Sequence, residues 1–341
     1  MPRLIAIDAA GAAFVDAMQR AWDAGDAVAP IDPRLPAPAR KRLTDALLLD
    51  ESVEPGDALV VATSGTSGEP KAVVLTHDAV VASALASSKA LAVTADDKWW
   101  ACLPLAHIGG LSVVLRSIVT DTPYTFEDEP DCSLVSLVPT MARRTDLARF
   151  RRVLLGGAAA PGEFPANVVR TYGMTETGSG VAYDGRPLEH VAFRIMQGEI
   201  QVRGPMLLRC YRDGTDPKTA GGWLPTGDGG SLVGGVVHVD GRVGDVINTG
   251  GEKVWPTAVE RVLAHLEGVA EIAIARRADA EWGERVVAYV VPTDATRPPT
   301  LDALRDRVKE FLPVYAAPKQ LVIVAQLPRT PSGKVRRNEL G

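Results

Sequence analysis

Two short apolar runs, Ala58-Leu-Val-Val-Ala62 and Ala72-Val-Val-Leu-Thr-His77, flank the stretch Thr63-Ser-Gly-Thr-Ser-Gly-Glu-Pro-Lys71. Runs of this length bounded by turn residues read as buried strands, so the stretch between them is the loop of a hairpin. Within it, Gly65 and Gly68 let backbone N–H groups turn inward, Ser64, Thr66 and Ser67 add hydroxyl donors, and Lys71 adds a point charge. Such a loop can hold phosphate. It is not a Walker loop: the G-x-x-x-x-G-K-[ST] spacing is absent, and Pro70 would break a helix starting there. A Gly/Ser/Thr cluster alone would more often be a polar surface turn, and the flanking strands are what favour the phosphate reading.

The nonamer, read on to Thr76-His77, resembles the phosphate loop of the adenylate-forming superfamily: acyl-CoA synthetases, adenylation domains of peptide synthetases and luciferases. Further motifs follow in the family's order. Pro104-Leu-Ala-His-Ile-Gly-Gly-Leu-Ser112, continued to Arg116-Ser117, resembles the o-succinylbenzoate–CoA ligases of menaquinone synthesis, whereas other acyl-CoA synthetases share only its Pro-Leu-x-His part. Gly156-Gly-Ala-Ala-Ala-Pro161 resembles the loop that lies against adenine. Tyr172-Gly-Met-Thr-Glu-Thr-Gly178 offers an aromatic face to the base, the Thr175 hydroxyl to phosphate and the Glu176 carboxylate as a hard ligand for magnesium. Trp223-Leu-Pro-Thr-Gly-Asp228 is expected to place Asp228 after a tight turn, where the resemblance implies a contact with ribose hydroxyls, as it does for Arg242.

The implied fold is α/β: a large ATP- and acyl-substrate-binding domain over residues 1–241 and a small mobile α+β domain over 242–341, joined by a hinge at 241–245. Gly244 stands where family members often carry a polar residue, and glycine suits a hinge. In the small domain Thr257-Ala-Val-Glu260 reads as a capping box opening a helix with Val259, Val262, Leu263 and Leu266 inward, followed by strands and a helix carrying Leu301, Leu304, Val308 and Phe311. Upstream, Val80, Val81, Ala84, Leu85 and Leu91 recur at helical spacing and predict one buried face. The 62 residues before Thr63 are fewer than the family usually carries, implying a shortened amino-terminal subdomain and leaving open a homodimer that completes the acyl pocket.

The resemblance implies an AMP-forming acid–CoA ligase using ATP, Mg²⁺ and coenzyme A. A carboxylate would attack the α-phosphorus of ATP to give acyl-AMP, and the CoA thiol would then displace AMP. Lys334 and His107 are the implied catalytic residues. Thr63, Ser64, Gly65, Thr66, Ser67, Gly68, Lys71, Gly156, Gly157, Ala158, Tyr172, Gly173, Met174, Thr175, Asp228 and Arg242 would hold ATP, and Glu176 the metal. His107, Gly110, Ser112, Arg116 and Gly173 would meet the acyl group, and Gly250 and Gly251 would line the CoA path. Arg116 has two readings, a cation for a second substrate carboxylate or an ion-paired helix residue. The acyl group is expected to be 2-succinylbenzoate. An aryl or short-chain acyl-CoA synthetase and a non-catalytic adenylate-binding protein stand as alternatives, the second weakened by an intact Lys334 and Glu176.

Composition agrees with this. With 341 residues, 37 basic against 42 acidic and a net charge of −5, the chain has room for a large core and no basic excess for nucleic acid. Its three cysteines fit no zinc spacing and read as reduced thiols, and neither a signal peptide nor a membrane-length apolar run is present, which points to the cytoplasm.

Overall fold

A computed structural model describes residues 1–63, 70–157, 163–329 and 335–340. The chain forms two compact units. The first comprises Met1–Arg194, Gln201–Pro225 and Val233–Val237, and the second Ile195–Ile200, Thr226–Leu232 and His238–Gly341.

In the first unit a five-stranded sheet runs in the order Leu4–Ile7, Ala27–Pro30, Asp57–Thr63, Lys71–Thr76, Cys210–Tyr211. Asp57–Thr63 and Lys71–Thr76 are antiparallel and end on the pair Thr63 and Lys71, so the phosphate-type stretch is bounded by a hairpin as its flanking runs predict. The last strand arrives from far along the chain, and two arginines fix it. Arg209 makes two hydrogen bonds of 2.9 Å to Asp57. Arg212 donates to the carbonyls of Leu47, Leu48, Glu51 and Ser52, which end the helix Ala37–Leu47 and the turn after it.

The second sheet runs Arg186–Pro187, Ser179–Tyr183, Val168–Met174, Arg152–Leu155, Leu134–Leu137, Trp99–Trp100, Tyr124–Thr125. Its centre is parallel and reads as continuous apolar runs because both faces are covered. One face packs Val135, Leu137, Val153, Leu155 and Val168 with Phe150. The helices His77–Ala90 and Ile108–Thr120 pack on each other and against Ser179–Tyr183. The first of these is capped by Thr76, whose side chain accepts from the Ala79 N–H at 3.1 Å. Its buried face is Ala79, Val80, Ser83, Ala84 and Ala86–Ser88; Val81 and Leu85, expected inside, are exposed. Small residues let the two helices approach closely, and the larger side chains fall outside that seam.

Ala192–Met196, Glu199–Arg203, Leu224–Val233 and Val236–Arg242 form a four-stranded sheet in that order. In Glu199–Arg203 the consecutive residues Ile200, Gln201 and Val202 are all buried. Asp228 lies inside the strand Leu224–Val233 rather than after a turn, because Gly227 at φ +72° bends the strand locally without ending it.

In the second unit the strands Glu252–Val254, Ile247–Thr249, Gly283–Pro292 and Val269–Asp279 form a sheet, with Gln320–Ile323 parallel to Gly283–Pro292. The helices Pro256–Leu263 and Leu301–Phe311 bury Val259, Leu263, Leu304 and Val308 against it. The capping box does not form. Trp255 is the N-cap with Pro256 first in the helix, and Glu260 instead accepts from the Ile274 N–H and from Arg337. Phe311 is exposed and carries the Arg307 guanidinium on its ring.

Candidate functional site

The parallel strands of the second sheet deliver site residues at their carboxyl ends, the expected place in an open α/β sheet. Arg152–Leu155 runs into Gly156 and Gly157, and Val168–Met174 carries Tyr172, Gly173 and Met174 into a 3₁₀ turn over Thr175–Thr177. Thr177 fixes this turn: its hydroxyl accepts from the Met174 N–H at 2.9 Å and donates to the Ser179 carbonyl at 2.7 Å. A Cβ on Gly173 would lie 2.1 Å from the Ser179 carbonyl oxygen, so glycine is required by the neighbouring strand. Tyr172 packs beside Phe193 with ring centroids 6.2 Å apart.

Glu176 is held by a residue that motif reading missed. The Tyr211 hydroxyl donates to its carboxylate at 3.1 Å, and the Leu208 N–H donates to its carbonyl at 2.8 Å. Burial, and then the Glu176 charge, push the Tyr211 phenol up, so it remains a donor. Lys71 sits over the same ring, 4.7 Å from its centroid. One tyrosine therefore joins the end of the hairpin to the acidic turn. Thr63 caps the other side, its hydroxyl donating to the Lys71 carbonyl at 3.3 Å. Among the described residues no group of three His, Cys, Asp or Glu side chains could hold a metal by itself. A lone hard carboxylate such as Glu176 fits magnesium, which is bound through one or two carboxylates plus substrate phosphates.

His107 is the N-cap of the helix Ile108–Thr120. Desolvation holds its imidazole below the usual histidine value, with Asp32 pulling upward and Arg34 downward. Asp32 itself is brought to about 2 by its hydrogen bonds from Arg34, at 2.9 and 2.8 Å. This pair places the Ile31-Asp-Pro-Arg34 segment beside His107. Gly110 is set by packing: a Cβ there would meet the Pro104 and Leu103 carbonyl oxygens at 2.4 and 2.5 Å.

Arg116 is 3 % exposed. Its Nη2 donates to Ser112 Oγ at 2.9 Å and Ser179 Oγ at 3.3 Å, and the guanidinium lies 5.0 Å from the Trp99 ring centroid. Its Nε and Nη1 are buried with no hydrogen-bond partner among the described residues. Among the described residues these contacts include no carboxylate, so no ion pair of Arg116 is seen there. Burial pulls the arginine's pKa down, although it stays a cation at neutral pH. Nearby, Ser87 and Tyr183 share a short hydrogen bond between their hydroxyls. Ser136 Oγ and Trp99 Nε1 are also buried without a partner among the described residues. Trp99 pairs with Leu134, so Ser136, two residues on, shares the sheet face that Trp99 presents to Arg116.

In the second unit Asp228 and Arg242 come together. Arg242 Nε lies 3.1 Å from Asp228 Oδ1 and its Nη1 donates to the Thr226 carbonyl at 2.9 Å. Gly244 lies in the 3₁₀ turn Val243–Asp245, and a Cβ there would meet nothing within 4 Å. Gly250 and Gly251, at φ +61° and +85°, turn the chain between Ile247–Thr249 and Glu252–Val254, and Gly250 lies under the Trp282 indole. Ser64, Gly65, Thr66, Ser67, Gly68, Ala158 and Lys334 lie outside the described residues.

The family model described as AMP-binding enzyme matches residues 28–212, and that of the AMP-binding enzyme C-terminal domain matches residues 258–334. A probable 2-succinylbenzoate–CoA ligase of Mycobacterium tuberculosis is 37% identical over 336 residues, covering 87% of each chain. Among solved structures, o-succinylbenzoate coenzyme A synthetase (MenE) from Bacillus subtilis in complex with ATP and magnesium is 27% identical. It superposes with a TM-score of 0.84 over 99% of this chain and 88% of its own. The same enzyme with the acyl-adenylate intermediate OSB-AMP is 28% identical, with a TM-score of 0.76 over 96% and 80%.

Proposed function

Because the chain belongs to the AMP-binding enzyme family, we propose that it joins 2-succinylbenzoate to coenzyme A at the expense of ATP, through an acyl-AMP intermediate. The observation that carries the substrate is Arg116. A buried guanidinium whose Nε and Nη1 have no hydrogen-bond partner among the described residues is stabilised by an anion, and burying a charge unpaired is costly. Benzoate and 2-succinylbenzoate both offer a ring and a reacting carboxylate, but only the second brings another carboxylate for Arg116. The Ser136 hydroxyl and the Trp99 indole on the same side supply further donors. The relatives named for 2-succinylbenzoate support the same choice.

In the first half-reaction a substrate carboxylate oxygen bonds to the α-phosphorus of ATP as the bond to the bridging oxygen breaks, releasing pyrophosphate. The obstacle is repulsion between anions, so this chain's task is to neutralise phosphate oxygens and align the nucleophile. The Thr63–Lys71 stretch and Thr175 would hold phosphate oxygens. Glu176, oriented by Tyr211, would ligate magnesium, whose charge screens the phosphates when bound. Lys334 would bridge the carboxylate and the α-phosphate. His107, its imidazole held below the usual histidine value, would line the acyl carboxylate's approach. Asp228 and Arg242 would take the ribose hydroxyls.

In the second half-reaction the CoA sulfur bonds to the acyl carbonyl carbon and AMP leaves with the bonding pair. Lys334 and the thiol need the same approach, so the carboxyl-terminal part would turn about residues 241–245 between the steps, bringing Gly250 and Gly251 to the pantetheine path.

The test is substrate-dependent AMP and pyrophosphate release with 2-succinylbenzoate beside benzoate and aliphatic acids. Turnover with 2-succinylbenzoate far above the others is expected. Activity confined to monocarboxylates would remove the substrate assignment, and no pyrophosphate from any acid would leave only adenylate binding.

A further inference from the structure

One nitrogen of Arg116 is held from two directions. Ser112 Oγ accepts from Nη2 at 2.9 Å and stands one turn earlier on the same helix, Ile108–Thr120. Ser179 Oγ accepts from the same Nη2 at 3.3 Å, from 63 residues along the chain, at the start of the strand Ser179–Tyr183. The first contact moves with the helix. The second ties the guanidinium to a different part of the fold.

The backbone of Ser179 is fixed independently of its side chain. Its carbonyl accepts from the Thr177 hydroxyl at 2.7 Å, and that hydroxyl in turn accepts from the Met174 N–H at 2.9 Å. Ser179 pairs with Met174, and Gly180 with Gly173, across two antiparallel strands. These strands are pressed together: a Cβ on Gly173 would lie 2.1 Å from the Ser179 carbonyl oxygen and 2.6 Å from the Gly180 Cα. Thr175 and Glu176 occupy the 3₁₀ turn that the same bonds close. Ser179 thus fastens that turn through its carbonyl and the Arg116 cation through its hydroxyl.

A dicarboxylic acid has to satisfy two ends at once. Its reacting carboxylate must reach the α-phosphorus, whose place follows from phosphates held at the turn, while the other carboxylate meets Arg116. The length of the acid is therefore compared with the protein's own span from turn to guanidinium. A long arginine side chain does not keep such a span unaided, because a change of rotamer carries the cation away. A misplacement of about 1 Å costs on the order of a hundredfold in rate. A hydrogen bond to a residue anchored on the turn supplies the missing reference.

We propose that Ser179 sets this span, as the positioning residue through which the site selects dicarboxylic acids by the distance between their carboxylates. The inference rests on the reading above that Arg116 meets the second carboxylate of the acid. Ser179 acts through Arg116 and on the dicarboxylates alone.

The experiment measures kcat/KM for pyrophosphate release with three acids: 2-succinylbenzoate, 2-glutarylbenzoate with one more methylene, and 4-oxo-4-phenylbutanoate without the ring carboxylate. The wild type is expected to prefer 2-succinylbenzoate to its longer homologue by at least about tenfold. Ser179→Ala should narrow that preference roughly tenfold, through a raised KM for 2-succinylbenzoate. The monocarboxylate should stay within about twofold, and the melting temperature and magnesium dependence should not move, since the Ser179 carbonyl remains. Ser179→Cys keeps the shape with a far weaker acceptor and should repeat the result even if the alanine variant folds poorly. Ser179→Thr retains the hydroxyl and should retain the preference. Ser112→Ala should lower both dicarboxylates alike, because Ser112 travels with the helix. A wild type indifferent to the extra methylene, an unchanged preference in both the Ala and Cys variants, or equal narrowing by Ser112→Ala overturns the proposal. Those results leave the substrate reading standing when Arg116→Ala harms 2-succinylbenzoate selectively. If Arg116→Ala harms the monocarboxylate equally, the reading beneath falls and this inference with it.

Discussion

The Tyr211 hydroxyl donates to the Glu176 carboxylate over 3.1 Å while the Lys71 ammonium lies 4.7 Å from the centre of the same ring. Glu176 and Lys71, from separate stretches of sequence, thus share the Tyr211 side chain. Removing the hydroxyl leaves the carboxylate without a donor that orients it, and hydrogen bonds to charged groups contribute about 1.5–3 kcal/mol. Tyr211→Phe should raise the magnesium concentration that half-saturates pyrophosphate release roughly tenfold. Calorimetric titration of ATP in the presence and absence of magnesium checks the same point without turnover.

Lys334→Ala should abolish acyl-AMP formation and spare thioester formation from supplied acyl-adenylate, because the lysine is assigned to the first step only. Single-turnover assays of both steps decide it. An equal fall in both would show that the two steps do not use separate arrangements.

Arg116→Ala tests the acid. The loss of one partner of a charge-assisted bond costs about 1.5–3 kcal/mol, or roughly ten- to over a hundredfold in kcat/KM for 2-succinylbenzoate. Any monocarboxylate the wild type accepts should lose little. A matching loss on both acids would make Arg116 a packing residue for Trp99 and Ser179 rather than a specificity residue.

His107 is held below the ordinary histidine pKa of about 6.5 by desolvation, against an upward pull from Asp32. A depressed value means that the neutral imidazole is favoured in the fold. The associated stability is full above the unfolded value and is lost as pH falls through the depressed one. Asp32→Asn removes the upward pull, so the His107 midpoint should drop further. NMR titration of the imidazole Cε1–H reads both midpoints, and a rise on substitution would contradict the assignment.

Gly110→Ala places a methyl 2.4 Å from the Pro104 carbonyl oxygen, against backbone that cannot rotate away. Overpacking of this kind costs about 1–3 kcal/mol. The melting temperature should fall, and acyl-AMP formation should fall with it, since the same helix carries Ser112 and Arg116. Unchanged stability would mean that the helix start can shift freely.

The hairpin was legible because unbroken apolar runs such as Ala58–Ala62 have few other places to go. Asp228 was misplaced because a Thr-Gly-Asp triplet looks like a turn, whereas here one left-handed glycine bends a strand that continues. The capping box failed because Pro256 already starts the helix and Glu260 finds a stronger partner 77 residues away in Arg337. Tyr211 could not be linked to Glu176 by any local pattern, since the two meet only once Cys210–Tyr211 joins the first sheet. Arg116 was half legible: Leu111, Val113, Val114 and Leu115 surround the helix axis with apolar side chains. A helix apolar on every side is buried, so its arginine must be buried too.

The first sheet is closed by a strand that pairs Cys210 with Val74 and Tyr211 with Val73. During synthesis, at about 5–20 residues per second, the Lys71–Thr76 edge therefore waits on the order of ten seconds for its neighbour. Until then it presents an unpaired row of backbone donors and acceptors with Val73, Val74 and Leu75 beside them, a template for pairing with other chains. Arg212 adds to the delay, because the four carbonyls after residue 46 that it satisfies stay open for the same interval. A fragment ending before residue 209 should accordingly aggregate where the full chain stays dispersed.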